Sequence, residues 1–129
     1  GADQNDYVIA QGTSSSWNYR KWHSGKCEMW RRVTRSQSAL NTTTWGSMYV
    51  GTIASISYPF TFSSVPYEYV SPAGYESGSS YVNSYWICNS GGTTGPTTTA
   101  SGTYQAVRPT AFGSGICIDY YVCGTIASS

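Results

Sequence analysis

The chain has 129 residues, with 7 Lys and Arg against 6 Asp and Glu for a formal charge of +1; charged residues make up 10% of it and aromatics 16%. That length fits one domain that can bury a core without a metal or a disulfide scaffold. The near-neutral charge excludes a general electrostatic pull toward nucleic acid or an anionic membrane, and the remainder, rich in Ser, Thr, Gly and aromatics, excludes a mainly helical protein.

Taken in chain order, residues 6–10 read as a short strand ended by Gln11-Gly12-Thr13. A β-hairpin with strands over 16–22 and 27–35 follows. With Ser24-Gly25 as a two-residue turn, Lys21 falls opposite Glu28, Tyr19 opposite Trp30 and Trp17 opposite Arg32. This register gives an ion pair, an aromatic pair and a cation-π pair, and it predicts that Trp17, Tyr19 and Trp30 pack together as core. Residues 45–50 read as extended, and Gly51 breaks them. In Tyr58-Pro59-Phe60-Thr61-Phe62 the alternation places three aromatics on one face, and Pro59, which lacks a ladder donor, sets the start of that strand or puts it at an edge.

Tyr67-Glu68-Tyr69-Val70 runs back after Pro66, and 71–74 form a loop. Residues 81–88 read as one strand, with Tyr81, Asn83, Tyr85 and Ile87 on one face. Residues 89–102 carry almost no apolar side chain and are expected to form a long exposed loop. The last two strands are expected over 103–107 and 116–122. Recurrent strand signals between turns, without helical periodicity, predict an all-β fold: a single antiparallel β-sandwich or jelly-roll-like domain over 1–129.

Residue chemistry offers little for catalysis. His23 is the single histidine, no Gly-x-Ser-x-Gly elbow occurs, and the six carboxylates Asp3, Asp6, Glu28, Glu68, Glu76 and Asp119 are scattered. Glu68 and Glu76 are the two that could converge across an intervening loop, while Glu28 is expected to be taken up by Lys21. Cys27, Cys88, Cys117 and Cys123 form no C-x-x-C pair, and six residues, about 20 Å of strand, separate the last two. No catalytic residue, metal ligand or cofactor is therefore expected, and the thiols read as buried, with a disulfide from Cys88 the open alternative. No apolar run reaches membrane-spanning length, and no leader-like segment opens the chain, so neither membrane insertion nor a signal peptide is expected.

The local cluster of Arg20, Lys21, Lys26, Arg31, Arg32 and Arg35 reads as a hairpin face or a guarded edge, with a site for sugar acids or teichoic phosphate as the sharper alternative. Nucleic-acid stacking on the interleaved aromatics competes with their use as core and is not expected. A recognition surface remains. Tyr75, Tyr81, Asn83, Tyr85, Asn89 and Tyr104 lie near Gly- and Ser-rich segments, together with Trp86, and such mixtures give large contact area at low entropic cost with adaptable hydrogen bonds. These six are the candidate ligand-binding residues.

The string W-x-Y-R-K-W-x-S-G-x-x-E-x-W over 17–30 resembles the opening of a module found at the C-terminal ends of phage and prophage tail-fibre, baseplate and minor structural proteins. Further landmarks resemble it too: Asp6-Tyr7-Val8 and Gln11-Gly12-Thr13 ahead of the hairpin, Trp45-Gly46-Ser47, the stretch from Tyr58 to Pro66, Val107-Arg108-Pro109, and Ile118-Asp119-Tyr120-Tyr121-Val122-Cys123-Gly124. Two places depart from the pattern. Arg31 follows Trp30 where the module often has Gly, and Thr125-Ile126-Ala127-Ser128-Ser129 stands where it often has a basic-aromatic tail. The resemblance implies a fibre-tip domain of a longer virion protein, assembled in the host cytoplasm, trimeric, and adhering to a bacterial surface glycan or polymer. A virion structural or decoration protein without its own ligand is the alternative, followed by a diversified ligand-binding domain.

Overall fold

A computed structural model describes residues 6–36, 43–73, 81–82, 85–89, 95–109 and 115–126. Among these, no residue is helical and ten strands are present. They are β1 (Val8–Ser14), β2 (Trp17–Trp22), β3 (Lys26–Ser36), β4 (Thr44–Trp45), β5 (Met48–Ile53), β6 (Tyr67–Pro72), β7 (Tyr81–Val82), β8 (Trp86–Asn89), β9 (Tyr104–Arg108) and β10 (Gly115–Thr125). The larger sheet has the order β1-β2-β3-β10-β6, with β7 beside β10, and the smaller has the order β4-β5-β9-β8. All pairings are antiparallel except the short parallel contact of β7 with β10. The expected all-β sandwich is thus the observed architecture.

The two sheets face each other across one apolar layer. From the larger sheet come Trp17, Cys27, Met29, Ile116, Ile118, Tyr120 and Val122; from the smaller come Ile53, Tyr104 and Ala106. The period of two along β10 accounts for its share, since Ile116, Ile118, Tyr120 and Val122 are at alternate positions and each is at most 2% exposed. Tyr58 and Phe62 close one side of the layer. Aromatic rings meet edge to face: Trp17 with Tyr58 at 5.6 Å, Trp17 with Tyr120 at 5.9 Å, and Tyr58 with Phe62 at 5.5 Å between centroids. Each such contact is worth about 0.5–1.5 kcal/mol beyond the area it buries.

The β2–β3 hairpin corrects the expected register. Arg20, not Lys21, lies opposite Glu28; Tyr19 lies opposite Met29, Asn18 opposite Trp30, and Lys21 opposite Cys27. The physical reason is the loop. His23-Ser24-Gly25 forms a three-residue connection with Gly25 at φ +95°, and the Gly25 N–H donates to the Trp22 carbonyl at 3.0 Å. One extra loop residue changes which side chains share a face. Trp17, Tyr19, Cys27 and Met29 therefore point inward, while Trp22, Glu28 and Trp30 belong to the outer face. Trp30 is half-buried and is not part of the core cluster.

Other boundaries also move. Gln11-Gly12-Thr13 lies inside β1, and the chain turns instead at Ser15-Ser16, both at positive φ (51° and 70°), as a two-residue type I′ connection requires. Gly51 does not break the extended segment; it sits buried inside β5 opposite Ala106, where a small residue fits the core layer. Tyr58-Pro59-Phe60-Thr61-Phe62 is no ladder strand. It is held by single bridges from Ser57 to Ala100 and from Phe62 to Ile126, with N–H bonds from Tyr58 to Thr99 O and from Phe62 to Thr98 O.

Its partner is the latter part of the expected exposed loop. Ser101 and Gly102 are buried, and Ser101 exchanges bonds with Ile56, donating its N–H at 2.8 Å and accepting at Oγ at 2.7 Å. The single strand expected over 81–88 is two, β7 in the larger sheet and β8 in the smaller, with Tyr85 buried between them.

Candidate functional site

The outer face of the larger sheet follows from the corrected register. Arg20 and Glu28 are paired across β2 and β3; Trp30 and Arg32 on β3 lie opposite Tyr121 and Asp119 on β10; and Tyr121 lies opposite Tyr69 on β6. Because side chains alternate along each strand, these residues share one surface. Its tyrosines are exposed, Tyr67 at 74%, Tyr69 at 64% and Tyr121 at 37%, while Trp30 is half-buried. Strand β6 is amphipathic in an inverted sense. It turns the Glu68 carboxylate inward and its two tyrosines to solvent.

Hydrogen bonds and ion pairs fix this surface. Arg32 donates to Asp119 in a bidentate pair, Nε to Oδ1 at 2.7 Å and Nη2 to Oδ2 at 3.0 Å. Arg20 Nη1 donates to Glu28 Oε1 at 3.3 Å, and the Tyr121 hydroxyl donates to Glu28 Oε2. That bond, with burial second, holds the Tyr121 phenol above its ordinary range, so it stays a neutral donor. The Arg20 guanidinium also lies 5.7 Å from the Trp22 ring centroid and 5.5 Å from that of Trp30, stiffening the hairpin's outer side. A groove of about 530 Å³ opens among Asn18, Trp30, Arg32, Asp119 and Tyr121, with Arg31 and Tyr120 completing its lining. Volumes of this order suit small ligands.

Glu68 forms a second polar centre, between the sheets. Its carboxylate accepts from the Tyr58 hydroxyl at 2.7 Å, from the Gly102 N–H at 3.0 Å, and from the Tyr104 hydroxyl. Burial, then the bond to Glu68, pushes the phenols of Tyr58 and Tyr104 well above their usual range. The carboxylate's partners are thus phenols and a backbone amide. Its expected companion Glu76 lies outside the described residues.

The sequence-derived candidates distribute differently from the outer face. Tyr75 and Asn83, and the side chains of Tyr81 and Asn89, lie outside the described residues. Tyr85 and Tyr104 are 5% and 7% exposed, and their hydroxyls donate to the Cys117 carbonyl and to Glu68, so both rings serve the core. The residues that sequence reasoning missed are Asn18, Trp30, Tyr67, Tyr69, Asp119 and Tyr121. The available signal was the alternation of Tyr67 and Tyr69 against Glu68 and Val70, which is easily assigned to the wrong face because a carboxylate is normally the outward member.

Comparison with protein-family models, with curated proteins and with solved structures returns no match to this chain. The site's chemistry therefore stands on its own geometry. All four cysteines are free thiols, Cys27 and Cys117 buried and Cys88 and Cys123 half-buried. Burial pushes the Cys27 thiol up to about 11. Among the described residues no group of three or more His, Cys, Asp or Glu gathers to hold a metal ion, and no helix is long and apolar enough to cross a membrane. What the outer face offers is contact area and hydrogen bonding on a sheet whose strands β2, β3 and β10 are paired on both sides and whose edge strand β6 carries Tyr67 and Tyr69.

Proposed function

We propose that this chain is a receptor-binding module of a bacteriophage tail fibre or baseplate, adhering to a glycan or polymer of the bacterial surface through the outer face of its larger sheet. The observation that carries the reading is the inverted β6, which leaves Tyr67 and Tyr69 in solvent beside Tyr121 and the groove. Exposed aromatics held on a regular sheet and mixed with amide and charged groups give a binding surface with little entropy to lose. The likeness of the tryptophan hairpin to tail-fibre modules supports the same reading. Adhesion needs no chemical step, and several weak contacts become firm when copies on one particle engage one surface.

A homotrimer assembled on the virion supplies those copies. Exposed Trp45, at 63%, and Trp86, at 59%, on the two edge strands of the smaller sheet favour contacts with other protein chains. This same feature supports the second reading, a structural or decoration protein of the virion without its own ligand.

The test is binding of the labelled full chain to a panel of intact bacteria. Tyr67→Ala combined with Tyr69→Ala is expected to weaken binding by about tenfold or more while leaving the melting temperature nearly unchanged. Undiminished binding removes the outer face as the site. Light scattering should give a trimer mass that Trp45→Ala with Trp86→Ala lowers to a monomer.

A further inference from the structure

We infer that the groove between Trp30 and Tyr121 is built for an uncharged hexopyranose unit of a surface polysaccharide and not for an anionic polymer, an inference that rests on the adhesion reading above. The argument is one of charge. An anion site needs cationic groups whose charge is not already met, because a phosphate or carboxylate must recover its lost hydration from them. Here each outer-face arginine beside the groove is matched to a carboxylate, Arg32 to Asp119 and Arg20 to Glu28. The remaining charged residue in the lining, Arg31, has its guanidinium carbon 5.4 Å from the centroid of the Trp17 ring. An incoming anion would meet the Asp119 carboxylate in the groove lining at short range, and that repulsion offsets the attraction of its partner Arg32.

A neutral sugar ring meets no such opposition. Its apolar C–H face can lie on Trp30 or Tyr121, and its hydroxyls, each both donor and acceptor, match a border that presents both kinds of group. The Asn18 side chain carries an amide N–H₂ and a carbonyl, the Arg32–Asp119 pair carries donors and acceptors in one plane, and the Tyr121 oxygen keeps acceptor capacity while its proton goes to Glu28. Hydroxyl groups are therefore the ligand chemistry this border can satisfy from several directions. The pairing of Tyr69 with Tyr121, centroids 6.4 Å apart and tilted 35°, extends the aromatic surface one strand further, as a chain of more than one sugar requires.

Affinity electrophoresis of the full chain tests this with the neutral polymers dextran, mannan and galactan against the anionic polymers poly(glycerol phosphate) and polygalacturonate, beside binding to intact cells. Retardation by a neutral polymer is expected, little changed between about 50 and about 500 mM salt. Trp30→Ala should weaken it by about tenfold. Tyr69→Ser, at a solvent-exposed position, should weaken it too without lowering the melting temperature, which separates lost binding from lost fold. Retardation by the anionic polymers alone, falling steeply with salt, overturns the inference and leaves adhesion standing. So does retained cell binding with no response to any neutral polymer. Failure of the native chain to bind any cell overturns both.

Discussion

An added Cβ at Gly124 would meet Phe62 Cδ1 at 2.9 Å and Pro66 Cβ at 3.0 Å. Both neighbours are buried and cannot swing aside, so Gly124→Ala is expected to cost about 1–3 kcal/mol, read as a lower midpoint in urea unfolding. A different single-residue control sits at the same end of the sheet, on the hairpin loop that adjoins Thr125. Asp6 accepts from the Ser24 hydroxyl and from its N–H, the latter at 3.0 Å, while the Tyr7 ring stacks on His23 at 4.9 Å, so the start of β1 is tied to the hairpin loop. The Ser24 hydroxyl is the main cause that holds the Asp6 carboxyl below its ordinary value of 3.8. A depressed value in the folded state means that the tie is fully present above the ordinary carboxylate range and is lost as the pH falls through the folded value. Asp6→Asn should therefore lessen the acid sensitivity of the contact, seen as a smaller change in the Ser24 amide resonance between about pH 5 and about pH 3.

The hairpin shows what one loop residue decides at the scale of an element. A two-residue turn and the observed three-residue loop both accommodate Ser24-Gly25, and both offer Glu28 a cationic partner, since Arg20 and Lys21 are adjacent. Charge complementarity thus could not separate the registers, and the turn geometry, with Gly25 at positive φ, did. A double-mutant cycle distinguishes them in solution: Arg20 with Glu28 should show a coupling of about 0.2–1 kcal/mol, as partly exposed pairs do, and Lys21 with Glu28 close to none. A coupling confined to Lys21 would restore the shorter turn. Elsewhere, alternation alone was sufficient, as for Ile116, Ile118, Tyr120 and Val122 on β10, whose inward face is unambiguous. It failed over 81–88, where β7 and β8 each continue the same period but belong to different sheets, a break that period-two patterning cannot reveal. The outer-face site was hidden for the same reason as the register, because reading Trp30 as core removed its cross-strand neighbour Tyr121 from the surface.

At the scale of the molecule, the two sheets are joined by more than apolar contact. Glu68 stands on β6 of the larger sheet, Tyr104 on β9 of the smaller, and Tyr58 and Gly102 in the segments that close the side of the core; one carboxylate gathers all three donors. Composition and periodicity could predict a sandwich, but not this tie, since nothing in Tyr67-Glu68-Tyr69 marks the acid as the inward residue. The same inversion that buries Glu68 exposes the two tyrosines, so sheet-to-sheet stability and the proposed binding surface have a common origin in β6. Replacing Glu68 with Leu leaves two phenol hydroxyls and an amide without their acceptor in a largely dry layer, and the expected loss is about 3–5 kcal/mol in urea unfolding. Converting Tyr58 and Tyr104 to Phe in that background should recover part of it, because removing donor and acceptor together is far less costly than orphaning one. The triple variant should thus be more stable than Glu68→Leu alone, and a triple variant that is less stable would mean that the hydroxyls contribute through partners other than Glu68.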